Sequence, residues 1–244
     1  MRLAFNGIAT LELFMNIKIN TLSIILLSTL ITGCANDESP FAPGGGGGTS
    51  TAPISDKNFN LFFDPVDPEV ITDEGAFGGI EVTVTAFAGD KDNTAVNGGT
   101  VFFQTEWGIL NASSCQLVSG SCSVTWTSDS DFGFIPADLL NTFTAYVVGE
   151  ESYIDLDGSG NFNDADGGTY LRDLDEPFVD ISHDGIYTAG DPIIDLDQNG
   201  VHTAGDSMFN GAGCTHTTLC GSGTPESITI YDIGTINLDQ RTPP

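Results

Sequence analysis

Asp180, Ser182, Asp184, Gly185 and Asp191 occupy positions 1, 3, 5, 6 and 12 of a twelve-residue frame. The frame recurs downstream as Asp195, Asp197, Asn199, Gly200 and Asp206, and upstream as Asp155, Asp157, Ser159, Gly160 and Asp166. Every copy sets oxygen-bearing side chains at positions 1, 3, 5 and 12 and a glycine at position 6. Alternate residues turn their oxygens inward, the glycine permits a sharp turn, position 7 offers a carbonyl, and the last acid closes the shell. This is the ligand spacing of a Ca²⁺ loop, an ion that takes roughly six to eight hard oxygens.

The frame departs from a helix-flanked loop in two ways. Position 12 is Asp rather than a bidentate Glu, which predicts weaker or water-assisted closure, in the class of about 10⁻⁴–10⁻³ M. The second and third copies also lie in a fifteen-residue repeat, residues 176–190 and 191–205. The two units match at Pro177 and Pro192, Asp180 and Asp195, Gly185 and Gly200, and again through the closing Thr-Ala-Gly steps at 188–190 and 203–205. Such a period leaves about three residues between loops, too few for flanking helices. The loops are therefore expected to stack directly, joined by Phe178-Val179 and Ile193-Ile194. A solvated acidic run is the ordinary reading of such charge. Three copies in one frame, each with its glycine, argue instead for cation binding.

The charge balance points the same way. The chain has 244 residues, with 34 acidic against 6 basic and a formal charge of −28. Residues 150–206 hold fifteen of those acids, with Arg172 as the lone Lys or Arg. A segment of that kind repels itself unless cations compensate. Nucleic acid is excluded as a partner, because phosphate neutralisation needs clustered Lys and Arg. A hydrophobic content of 40% is enough for a packed core.

Five cysteines divide into Cys34, the pair Cys115 and Cys122, and the pair Cys214 and Cys220. Neither pair has zinc-ligand spacing, and two short-loop disulfides formed in an oxidising compartment are the simpler account. The first is expected to clamp a hairpin, and the second to staple the return from the loop region. His183, His202 and His216 are scattered and expected to face solvent.

The N-terminal region reads as an export signal. Lys18 precedes an apolar run over residues 22–31, too short for a bilayer span of about twenty residues. Ile31-Thr32-Gly33-Cys34 resembles the lipobox of bacterial lipoproteins. The resemblance implies cleavage before Cys34, lipid on its thiol, and a membrane partner through that anchor. Ala35 resembles the outer-membrane sorting pattern. An ordinary secretory signal with a chance cysteine is the alternative. Met15 is the more natural start. After Cys34, a linker to residue 56 carries five glycines, Gly44 to Gly48, and should act as a flexible tether spanning roughly 25 Å.

Short strands follow. Residues 81–86, 121–127 and 142–147 alternate polar and apolar, the period of a half-buried strand. Residues 99–107 form a further strand ended by Gly108, and residues 226–238 a closing one. Residues 132–140 fit no strand and are expected to form an irregular loop. Trp126 is expected to fill the core.

Gly99 to Phe103, Gly108 to Leu110, the Cys115–Cys122 segment with residues 124–128, and Thr144 to Gly149 together resemble bacterial Ig-like domains of the invasin and intimin type. The resemblance implies an all-β fold, an Ig-like β-sandwich over residues 57–150 and 225–240. The Ca²⁺ loops would then be an insertion, residues 151–224, before the last strand, preceded by the signal (1–33) and the linker (34–56).

No nucleophile elbow, zinc-protease helix or phosphate loop is present. Asp173, Asp175 and Glu176 are the available acid/base pair members for glycoside cleavage, but they adjoin the cation frames, and a non-enzymatic protein is expected. Two classes remain: a surface module recognising a protein or glycan, with Tyr153, Tyr170 and Tyr187 as aromatic candidates, and a calcium-stiffened structural spacer.

Overall fold

A computed structural model describes residues 49–167, 172–220 and 227–241. The expected signal, Cys34 and the glycine run lie outside those residues, as does Tyr170. The described chain is all-β. Its strands are β1 (Phe59–Asp64), β2 (Ile71–Thr72), β3 (Gly75–Ala76), β4 (Glu81–Ala88) and β5 (Thr100–Thr105). They continue with β6 (Ile109–Leu110), β7 (Ser114–Gln116), β8 (Ser121–Thr127), β9 (Leu140–Gly149) and β10 (Ile228–Asn237). The strands form two four-stranded sheets, β1-β4-β8-β6 and β10-β9-β5-β7, plus the small β2-β3 ribbon. All pairings within these sheets are antiparallel.

Alternation places the core. In β4, Val82, Val84, Ala86 and Ala88 point inward and are buried, while the residues between them are exposed or half-buried. Val124 and Trp126 of β8, Val101 and Phe103 of β5, and Phe143, Ala145 and Val147 of β9 join the same core. Trp126 is fully buried, edge-on to Phe143 at 6.0 Å, and its Nε1 donates to Trp107 O at 2.7 Å. That bond gives the buried indole's one donor an acceptor, as buried Trp side chains usually require; the neighbouring Trp107 Nε1, also buried, has no such partner. Residues 132–140 hold a short 3-10 turn, Phe132–Phe134, before β9 begins.

Two features differ from the sequence expectation. Strand β9 does not alternate, because Thr142 and Thr144 on its outer face are buried as well. The cover is the chain between β9 and β10: Thr142 Oγ1 donates to Asp180 O (3.0 Å) and Thr144 Oγ1 to Phe178 O (2.7 Å). Phe178 and Leu174, almost wholly buried, belong to the main core cluster. Burying two such side chains stabilises the contact by about 1.5–3 kcal/mol each.

The second difference concerns Cys115 and Cys122. They are bonded, with Cα atoms 5.9 Å apart. Cys115 lies in β7 and Cys122 in β8, which belong to different sheets. The bond joins the two sheets at the corner where the chain crosses between them, rather than clamping a hairpin. Cys214 and Cys220 are also bonded. They pack against a small second core of Tyr153, Phe162 and Phe209.

Strands β9 and β10 are neighbours paired over ten residues each, from Ile228 opposite Gly149 to Asn237 opposite Leu140. Everything between them leaves and re-enters the sheet at adjacent points. Arg172 pins that excursion down. Its guanidinium lies 3.3 Å from Asp56 Oδ1 and 4.5 Å over the Tyr231 ring.

Candidate metal centre

The three frames fold into three loops with one hydrogen-bond pattern. In each, the carboxylate at position 1 accepts from the backbone N–H groups of positions 5 and 6. In loop 1, Asp155 takes Ser159 N (3.1 Å) and Gly160 N (2.9 Å). In loop 2, Asp180 takes Asp184 N (3.3 Å) and Gly185 N (2.8 Å). In loop 3, Asp195 takes Asn199 N (3.1 Å) and Gly200 N (3.0 Å). The turn that allows this needs a left-handed residue at position 6. Gly160, Gly185 and Gly200 have φ of 76°, 78° and 78°, a region that costs a residue with a Cβ about 1–2 kcal/mol.

A second carboxylate closes each loop by accepting from the N–H groups of positions 2 and 9. Asp166 takes Leu156 N (2.8 Å) and Asn163 N (2.9 Å). Asp191 takes Ile181 N (3.2 Å) and Thr188 N (2.8 Å). Both sit at position 12, as expected.

Loop 3 is the exception. Its two amides, Leu196 N (2.6 Å) and Thr203 N (3.3 Å), go to Glu176. Asp206, the expected closing acid, turns away and accepts from Met208 N (2.8 Å). The reason lies in the repeat. Glu176 begins the first fifteen-residue unit as Asp191 begins the second, and both are followed by Pro, two apolar residues and Asp. The two units pair antiparallel, Phe178 bridging Ile193, with Val179 N donating to Pro192 O (2.9 Å) and Ile194 N to Pro177 O (2.8 Å). That exchange carries Glu176 onto loop 3. The acid-for-acid match at the start of the repeat was the signal for this role.

These arrangements gather charge. Asp155, Asp157 and Asp166 bring carboxylate oxygens within 4.8 Å of one another, as do Glu176, Asp195 and Asp197, and either cluster could hold a metal ion. Loop 2, with Ser182 at position 3, brings no third carboxylate into such a group. There Ser182 Oγ donates to Asp180 Oδ1 (3.0 Å), and Asp184 Oδ1 accepts from Ile186 N (3.0 Å).

In loop 1, Asn163 Nδ2 donates to Asp157 Oδ2 (3.2 Å), Ser159 Oγ (2.8 Å) and the Asn161 carbonyl (3.1 Å). Those are the oxygens of positions 3, 5 and 7, so a donor nitrogen stands where a cation would sit. In loop 3, Asn199 Nδ2 (2.7 Å) and Thr203 Oγ1 (2.9 Å) supply donors to Asp197 Oδ2, and Asn199 Oδ1 accepts from Val201 N (2.7 Å). Such bonds favour the charged carboxylate: the Ser159 hydroxyl and amide hold Asp157 below the usual range, and Thr203 does the same for Asp197.

The histidines are half-buried rather than solvent-facing. His183, His202 and His216 lie 3.0, 3.2 and 3.4 Å from Asp138, Asp175 and Asp164. Of the aromatic candidates, Tyr153 is buried in the second core, and Tyr187 stacks on His202 with ring centres 3.8 Å apart. Both are packing residues here. No protein-family model, curated protein or solved structure matches the chain.

Proposed function

We propose that the region between β9 and β10 is a Ca²⁺-ordered arm carried on an Ig-like sandwich, and that the protein is a non-enzymatic, lipid-anchored envelope module that engages a surface protein or glycan. The observation that carries the calcium reading is the shared loop pattern. Backbone amides already hold the position-1 and closing carboxylates in place, and in loop 1 the position-3, -5 and -7 oxygens converge on one point, the Asn163 amide nitrogen. All the donors are hard oxygens, which suits Ca²⁺ better than a transition metal. Two antiparallel four-stranded sheets around a common core support the sandwich assignment. The anchor and outer-membrane location rest on the Cys34 motif alone.

An interaction role is favoured over a bare spacer by apolar residues left in water. Leu156 and Leu196 at position 2, and Ile186 and Val201 at position 7, are 66, 44, 64 and 63% exposed. Recurrence of large apolar side chains at fixed loop positions is what a docking face needs and a spacer does not.

Calorimetric titration of Ca²⁺ into chelator-treated protein, with limited proteolysis alongside, tests this reading. Binding of several ions with protection of residues 150–220 is the expected result. No heat at millimolar calcium and unchanged digestion would remove it.

A further inference from the structure

Most of the hydrogen-bond pattern of the three loops recurs in a place where no twelve-residue frame exists. Asp173 carboxylate oxygens accept from Ser207 N at 3.2 and 3.1 Å, as position 1 accepts from position 6. Ser207 has the left-handed φ of that position, 61°. Asp206 Oδ1 accepts from Met208 N (2.8 Å), as position 5 accepts from position 7 in loops 2 and 3. The closing carboxylate is Glu151, which takes Leu174 N (2.8 Å) and Asn210 N (2.8 Å), the counterparts of positions 2 and 9. Even the backbone bond agrees: Glu151 N donates to Asn210 O as Glu176 N does to Thr203 O, both at 2.9 Å.

A hydrogen-bond pattern is not a ligand, but one atom here calls for one. Asn210 is 1% exposed and its Oδ1 has no hydrogen-bond partner. The same amide lies over the cluster, its Nδ2 donating to Asp206 Oδ1 (3.1 Å) and to the Met208 carbonyl (3.3 Å). That is the stance of Asn163 over the position-5 and position-7 oxygens of loop 1. Leaving a buried amide oxygen unmet costs about 1–3 kcal/mol. A cation satisfies it and the acids together.

We propose that Glu151, Asp173, Asp206, Asn210 and the Met208 carbonyl form a fourth, split site for a hard divalent cation of the Ca²⁺ class, with loops 2 and 3 inserted in the middle of it. The proposal rests on the reading of the three contiguous loops as cation sites. The position-3 counterpart, Asp175, contributes nothing, because Tyr231 Oη donates to it and His202 flanks it at 3.2 Å. Asp206 thus serves the split site, and Glu176 serves loop 3.

Equilibrium dialysis of the full chain against millimolar Ca²⁺ counts bound ions. Asp206→Asn and Asp173→Asn should each bind one ion fewer than wild type, and the two together still only one fewer. Combining Asp206→Asn with Glu176→Gln should remove two ions. Asn210→Ala should weaken the same ion as Asp206→Asn while leaving every carboxylate in place. Near-UV circular dichroism of each variant shows whether the fold is kept, and the wild-type count stands whatever a variant does. An Asp206→Asn protein with the full wild-type count, or a loss of one ion in the Asp206→Asn/Glu176→Gln double variant, overturns the split site and leaves the calcium-ordered arm intact. A wild-type chain that binds no ion overturns both.

Discussion

Glycine at position 6 is where a single residue has most leverage. Gly200 has open space where a Cβ would point, so the cost of Gly200→Ala is backbone strain at φ of 78°, not a clash. The strain of about 1–2 kcal/mol should weaken the loop 3 ion about tenfold, read by calcium titration, with little change in the sheets. Asp232 tests a different effect. It accepts from Leu61 N at 2.8 Å, satisfying an outward amide of edge strand β1, and burial raises its pKa. A carboxyl with a raised folded-state pKa binds more protons folded than unfolded. Its stabilising contribution is present below the unfolded value and lost as pH rises through the folded one. Asp232→Asn keeps an acceptor and removes the charge. It should melt higher than wild type at pH 7, with the gap closing towards pH 4; a gap that widens on acidification would refute the assignment.

Contacts between elements decide how the arm is held. Phe178 fills the outer face of β9, and three aromatic neighbours, Tyr187, His202 and Tyr231, meet it edge-on. Phe178→Ala should cost about 3–5 kcal/mol as a cavity in a shared core, seen as a lower melting temperature together with faster cleavage of residues 172–206. The Cys115–Cys122 bond crosses between the sheets. Replacing both by Ser should lower stability by about 2–4 kcal/mol in denaturant unfolding without altering calcium stoichiometry. Strands β4 and β8 were legible in the sequence because their alternation is local. Strand β9 was half-legible: its inward face is in the pattern, but the burial of Thr142 and Thr144 depends on a cover formed from residues beyond it. The disulfide misled for a similar reason. Two short strands either side of a tight turn look like a hairpin, and nothing local says that they belong to different sheets. The sharp glycine turn at position 6 of the loops was legible, because its contacts lie within a few residues. Closure was misread in loop 3, where the acid comes from twenty residues upstream of Leu196.

At the scale of the whole molecule, charge and metal oppose one another. Fifteen acids and one Arg crowd residues 150–206, and burial pushes the Glu151 carboxyl up to about 7, with Asp173 and Asp206 adding to the effect. Without cations the arm should expand, and calcium binding free energy should appear as folding free energy. High salt offers a check, because molar salt shortens the screening length to about 3 Å. Small-angle scattering of chelated protein should show partial compaction on adding sodium chloride and full compaction on adding calcium. An equal size in all three conditions would mean that repulsion does not govern the arm.

The adjacency of Gly149 and Ile228 also sets how the molecule answers to force. A pull on the arm reaches the sheet at one end of the β9–β10 ladder, so its rungs are loaded in turn, the weakest direction in which to tear a ladder apart. The chain before β1 braces that end. Asp56 N donates to Glu150 O (3.0 Å), Glu150 N donates to Ile54 O (2.8 Å), and Arg172 grips Asp56 from the arm itself. Tension on the arm is thereby shared with the N-terminal side of the fold before the first rung can open, much as a stitched corner keeps a seam from unzipping.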